Sequence, residues 1–199
     1  MRLPADQRRA QLLEVARDRF ADLGFHATSM DEIAEAAGVT KPVLYQHFPS
    51  KRALYCELLD DTGRQLLERI AESAGTQSGR AAVESGFRAY FEFAATNRQG
   101  FRLLLQTAVQ DDDDFSRAVT AIVQSIIDSI AVLLADIFDE EQRMVLAAAI
   151  FGMAESVSRQ TLWGGANTAI DPDRLARWIS ELAWFGMRGI RIEGAAVTD

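Results

Sequence analysis

Along this chain apolar residues return at steps of three and four, as in Leu13, Ala16, Phe20 and Leu23 and again in Ile122, Ile126, Ile130, Leu133 and Ile137. That is the period of a helix with one buried stripe, and no stretch alternates as a half-buried strand does. The spacing predicts about nine helices, over 5–23, 30–37, 41–47, 51–73, 79–96, 98–109, 114–138, 140–163 and 172–190. Their ends carry matching punctuation. Ser29 with Glu32 forms a capping box, Thr40 and Ser50 stand at the N-caps of the third and fourth helices, and Asp171-Pro172 supplies a cap followed by proline at the first helical position. Gly24 and Gly38 fall where helices end. The fold class is therefore all-α.

Residues 28–51, TSMDEIAEAAGVTKPVLYQHFPSK, read as a short helix, a tight turn at Gly38-Val39 and a second short helix, which is a helix-turn-helix pattern. Met30, Ile33, Ala34 and Ala37 make one apolar face, with Ala34 small where the two helices approach. Gly38 takes a positive φ at the turn without a Cβ clash, and Val39, Leu44 and Phe48 close the small core. With Leu44 inward, a rotation of about 100° per residue turns Pro42, Tyr45 and Gln46 outward. Thr40 and Lys41 then stand at the end of the helix that enters a major groove first. Lys41 is suited to guanine O6 or N7, Gln46 to adenine or a phosphate, and the Pro42 ring to a thymine methyl. Thr28, Tyr45, His47 and Lys51 supply phosphate donors around the rim.

Composition sharpens this picture. The 199 residues carry a formal charge of −8, which argues against a protein that holds nucleic acid over its whole surface. Residues 1–52 alone hold eight Lys/Arg against seven Asp/Glu, so the one segment able to approach a polyanion is the one with the helix-turn-helix pattern. The single cysteine, Cys56, has no partner for an internal disulfide. With neither a signal-like segment nor an 18-residue uncharged apolar run, the expected compartment is the cytoplasm, with no membrane partner. Both histidines, His26 and His47, lie in the first segment, and no phosphate-cradling glycine loop occurs, so no catalytic residue, metal site or cofactor is expected. The acidic run 111–114 suits the start of the seventh helix, with a weak cation site as the other use.

The stretch GFHATSMDEIAEAAGVTKPVLYQHFPSKRALY resembles the DNA-binding signature of the TetR family of bacterial transcriptional regulators, over about residues 8–59. The resemblance implies a homodimer of nine or ten helices per chain, with a three-helix DNA-binding domain and a larger ligand-binding and dimerising domain, here 1–49 and 50–199. By position it implies DNA contacts for Thr28, Thr40, Lys41, Pro42, Tyr45, Gln46, His47 and Lys51, a palindromic double-stranded operator, and repression as the family default.

The larger segment is expected to dimerise through its last two long helices. One carries the small residues Ala147, Ala148, Ala149, Gly152 and Ala154, the other the stripe Trp178, Ile179, Leu182 and Phe185. Completing the monomer core is the competing use of the same residues. Aromatic residues gather mid-chain, and Tyr90, Phe91, Phe101, Leu105, Ile126, Phe151 and Glu155 are the expected wall of a pocket for a small hydrophobic or amphipathic effector. Glu155 has an alternative partner in Arg159, one turn on. The pattern of this half, including NRQGFRLLLQ, is similar to regulators of lipid metabolism that respond to fatty acyl thioesters. Two other classes stay open: a regulator of the same fold governed by a protein partner or its own concentration, and, remotely, an enzyme.

Overall fold

A computed structural model describes residues 4–75, 77–107, 113–162 and 170–188. Among these residues all regular structure is helical, in nine helices: α1 (Ala5–Ala27), α2 (Met30–Ala36), α3 (Lys41–His47), α4 (Lys51–Ala74), α5 (Gly79–Thr96), α6 (Arg98–Thr107), α7 (Asp113–Leu133), α8 (Glu140–Leu162) and α9 (Pro172–Arg188). The chain divides into two compact units, residues 1–64 with 97–121 and residues 65–96 with 122–199. The helices α4 and α7 contribute residues to both.

The first unit is a filled core. Leu12, Ala16 and Phe20 of α1, Ile33 of α2, Leu44 of α3, and Leu54 and Leu58 of α4 are all inaccessible to solvent. Phe20 meets Tyr55 edge-on at 5.0 Å, and Phe115, from the first turn of α7, lies 4.8 Å from Phe25 and 4.7 Å from Tyr55. Burying each such side chain stabilises by roughly 1.5–3 kcal/mol. The seat of α6 in this unit is set by Gly100, where a Cβ would stand 2.8 Å from Asn97 Oδ1 and 3.0 Å from the buried Thr62 side chain. In the second unit α5 packs chiefly on α9 and also on α8.

Apart from Thr40, whose hydroxyl makes no capping bond, the helix ends follow the capping chemistry with two differences. A capping box joins Ser29 and Glu32, and Ser50 Oγ accepts from the Ala53 amide at 3.1 Å. The first difference is α1, which runs on to Ala27 through a kink at Gly24, whose φ of 81° only glycine adopts without strain. The second is α7, which leaves helical winding at Leu133. The Leu134, Ala135 and Ile137 amides donate to the carbonyls three residues back, and this tighter turn buries Phe138 while leaving Ile137 exposed. The predicted ends at 109, 163 and 190 lie outside the described residues.

By length and composition α7 would suffice to cross a membrane. Its Ile126, Ile130 and Leu133, however, wall a cavity of the second unit, so the apolar character has a use inside the protein.

Candidate nucleic-acid interface and effector cavity

The helix-turn-helix is fixed locally at both ends of its turn. At the start of α2 the Glu32 amide donates to Ser29 Oγ at 3.2 Å and the Ser29 amide to Glu32 Oε2 at 2.8 Å. The Ser29 hydroxyl, donating to Oε2 at 2.8 Å, and after it the Ser29 amide hold the Glu32 carboxyl below its ordinary range. At its end the Val39 amide donates to Ala34 O at 2.9 Å and the Gly38 amide to Glu35 O at 3.0 Å, a Schellman motif with Gly38 at φ 65°. Met30, Ile33, Ala34, Ala37, Leu44 and Phe48 are all buried, as the apolar spacing requires.

With Leu44 inward, Thr40, Lys41, Pro42, Tyr45 and Gln46 are exposed together on α3. Thr40 is the N-cap residue but its hydroxyl makes no capping bond. Pro42 removes one amide it would bind, and the Val43 amide already donates to Thr40 O at 3.0 Å. Lys41 Nζ pairs with Asp31 Oδ1 at 2.8 Å, which raises the lysine's pKa. Both partners are exposed, so solvent screens the pair and it exchanges readily for another acceptor.

The rim residues are placed differently from a ring of phosphate donors. Thr28 is buried, its hydroxyl donating back to Gly24 O at 2.8 Å and to Arg19 O at 3.2 Å. Lys51 Nζ donates to the carbonyls of Phe25 and Thr28, both at 2.8 Å, and to that of His26 at 3.4 Å, and it lies 4.5 Å from the Phe25 ring centre. The cause is the kink at Gly24, which leaves the last carbonyls of α1 without amide partners and in need of a donor. His47 is half-buried, and its carbonyl accepts from Arg9 Nη1 at 3.2 Å.

Two structural cations were missed in the sequence. Arg9 ion-pairs with Glu57 and stacks 4.5 Å from the Phe48 ring centre, tying α1 to α3 and α4. Arg52 holds Asp114 at 2.7 Å and lies 4.9 Å from the Phe115 ring centre. Together with Arg117 it keeps the Asp114 carboxyl low, so this member of the acidic run is committed to arginines. Asp111 and Asp112 lie outside the described residues. Pairings this distant in sequence leave no local spacing signal.

The second unit contains a cavity of about 60 Å³. Its walls come from Ile70 of α4, Val83, Gly86, Phe87 and Tyr90 of α5, Ile126, Ile130 and Leu133 of α7, and Ile150, Phe151 and Ala154 of α8, with no charged side chain among them. Of the residues expected at a pocket wall, Tyr90, Ile126 and Phe151 stand here. Phe91 is buried on the same helix, 6.1 Å from Phe87 in a stacked pair. Glu155 accepts from Arg159 Nη2 at 2.8 Å, the alternative open in the sequence. Phe101 and Leu105 are buried on α6 in the first unit. Burial holds the Tyr90 hydroxyl protonated far above the ordinary phenol range, with the Glu155 carboxylate acting in the same direction.

The small residues of α8 divide between two faces. Ala147 and Ala154 are buried, whereas Ala148, Ala149 and Gly152 are exposed. On α9, Trp178, Leu182 and Phe185 are 48%, 62% and 58% exposed, with Val145 of α8 at 65%. Large apolar side chains this open are those a monomer core leaves unused.

Comparison with known proteins agrees with this architecture. Residues 12–58 match the family model for bacterial regulatory proteins of the tetR family, and residues 80–186 match that for the tetracyclin repressor-like C-terminal domain. The chain is 33% identical over 187 residues to the HTH-type transcriptional activator FasR of Mycolicibacterium smegmatis, covering 94% of this chain and 85% of that one. A TetR-like transcriptional regulator from Rhodococcus sp. RHA1 superposes with a TM-score of 0.79 at 30% identity, covering 95% of this chain and all of that one. The regulator FadR of Bacillus subtilis, solved in complex with stearoyl-CoA, shares the fold with a TM-score of 0.79 at 17% identity, covering 89% and 98%. A helix-turn-helix with its outward face on α3, a family model over each part of the chain and a relative matched over most of its length make this chain a member of the TetR family of DNA-binding transcriptional regulators.

Proposed function

We propose that this regulator binds a palindromic operator as a homodimer, in the bacterial cytoplasm, and that an effector with a slender apolar chain enters the cavity of the second unit and changes DNA affinity. The effector reading is carried by one observation: a cavity of about 60 Å³ whose walls hold no charge. Such walls reward an alkyl segment by removing it from water and offer nothing to an ionic ligand. The stearoyl-CoA in the FadR complex carries a chain of that kind.

One short helix makes few base contacts, so operator affinity calls for two copies about 34 Å apart on one DNA face. The exposed apolar side chains Trp178, Leu182 and Phe185 support α8 and α9 as the surface that pairs them, as a four-helix bundle. On DNA, Lys41 leaves Asp31 for a guanine edge while Pro42, Tyr45 and Gln46 face the groove and Thr40 and His47 flank them. Thr28 and Lys51 serve the same surface by holding the junction of α1 and α2 on which α3 stands. Repression follows where the operator overlaps a promoter.

Because α4 and α7 run from one unit into the other, an effector that favours one tilt of these helices resets the spacing of the two reading helices. A tenfold change in operator affinity needs about 1.4 kcal/mol of differential binding, within the usual ~1–3 kcal/mol of coupling. The test selects bound fragments from genomic DNA and titrates the complex with stearoyl-CoA, shorter acyl-CoAs and free coenzyme A. A shift with the acylated compounds alone is expected. An affinity indifferent to all of them removes the effector half of the proposal and favours control by a protein partner.

A further inference from the structure

A second concavity of the molecule lies beside the recognition helix. It is an open groove of about 480 Å³, walled by Ala5 and Arg8 of α1 and by Thr40, Val43, Gln46 and His47 of α3. One water molecule takes about 30 Å³ in the liquid, so the groove has room for a chain of linked groups. No carboxylate stands in its wall, and Arg8 is its one charged member.

The state of Arg8 sets it apart from the cations around it. Its guanidinium donates to the neutral Gln11 Oε1 at 2.7 Å and, among the described residues, meets no carboxylate within ion-pair range. Arg9 is taken by Glu57, Lys41 by Asp31 and Lys51 by the carbonyls ending α1. In the same wall the Thr40 hydroxyl is unused as a cap, leaving a second donor beside the guanidinium's own. A planar fork with spare N–H groups, a free hydroxyl, and the apolar Ala5 and Val43 in one groove match a phosphodiester strand, with its anionic oxygens and less polar sugar.

We infer that this groove seats the backbone of one strand of the duplex that α3 reads, with Arg8 as its ionic contact. The inference rests on the proposal that α3 enters the major groove, and it adds a charged backbone contact from α1 to those expected of α3.

The test uses the full-length protein, R8Q and R8K, with a long duplex of random sequence, since phosphate contacts supply non-specific binding. Affinity is measured by fluorescence anisotropy over a range of salt. For R8Q the slope of log affinity against log salt is expected to become shallower by about 0.9 for each bound subunit, with an unchanged melting temperature. R8K, which keeps the charge, is expected to retain the wild-type slope. If the wild type binds and R8Q keeps the full slope, the groove assignment fails while the operator reading stands. If the wild type ignores every duplex at low salt, both fail. If polyglutamate displaces the duplex from the wild type but not from R8Q, the groove takes an acidic peptide and the inference is overturned.

Discussion

The two units of this protein use the same apolar residue types to opposite ends. In the first, Phe20, Phe115, Tyr55, Leu44 and Ile33 are closed off from solvent, and most neighbouring cations are bound to a carboxylate, a carbonyl or a ring. In the second, four helices surround a void, and the aromatic side chains of α5 and α8 partly line it rather than fill it. A reading head must hold α3 rigidly in register with base edges, so packing there is complete. On the proposed reading the second unit must leave volume for an effector, so each unit should respond differently to the same kind of substitution.

The largest effect is expected where the filled unit loses volume. Leu44 is inaccessible and anchors α3, so Leu44→Ala removes transfer energy and opens a cavity, costing about 2–5 kcal/mol. Urea unfolding followed by circular dichroism measures the loss, and duplex binding is expected to vanish with it. A cost under 1 kcal/mol would mean that the first unit is as loosely packed as the second.

Next in size is Lys51→Gln. The ammonium satisfies two carbonyls at 2.8 Å, and losing charge-assisted bonds of this kind costs roughly 1.5–3 kcal/mol. The expected result is a lower urea midpoint and weaker DNA binding whose salt slope stays that of the wild type. A shallower slope with unchanged stability would instead make Lys51 a phosphate ligand.

These two positions also show how far the sequence is readable. Leu44 and the outward trio of Pro42, Tyr45 and Gln46 follow from helical rotation alone, and the Ser29–Glu32 box and Gly38 turn follow from local stereochemistry. What Lys51 binds depends on a kink 27 residues earlier at Gly24, which no local spacing reveals. The cavity is harder still. Tyr90 lines it while Phe91, its neighbour on α5, belongs to the filled part, and hydrophobicity does not distinguish a wall from a core. Glu155, attractive as a lone acid among apolar residues, had its partner one turn away, and α8's small residues split between an inner and an outer face that only the packing assigns.

Adding volume inverts the comparison. A Cβ built on Gly86 meets nothing within 4 Å, and Gly86 lines the cavity. Gly86→Leu thus gains about 0.5–1 kcal/mol of helix propensity and fills space that was empty. Its urea midpoint is expected at or slightly above the wild-type value, with DNA binding intact and the response to acyl-CoA lost. Ala34→Leu, the same gain of volume between α2 and α3, is expected to cost about 1–3 kcal/mol because nothing there can yield.

The smallest difference is in acid sensitivity. In the first unit Glu32 and Asp114 have lowered carboxyl pKa values, the one through the capping box and the other through Arg52 and Arg117. A lowered folded-state pKa gives stability that is present above the ordinary carboxylate values of 4.5 and 3.8 and is lost as pH falls through the folded ones. Asp60, raised by burial and by Glu57, works in the opposite sense in the same unit. In the second unit Tyr90 is shifted upward and stays neutral throughout the acid range. Acidification should therefore loosen the reading head before the sensor. Of the tryptophans, Trp178 and Trp184 of α9 belong to the second unit, so their emission is expected to hold while duplex binding and part of the helical ellipticity decline. The double variant E32Q/D114N should flatten that early phase without moving the emission change. Because both carboxylates are exposed, the effect is modest and shrinks with added salt; an emission change that leads the loss of duplex binding would place the acid-labile contacts in the sensor instead.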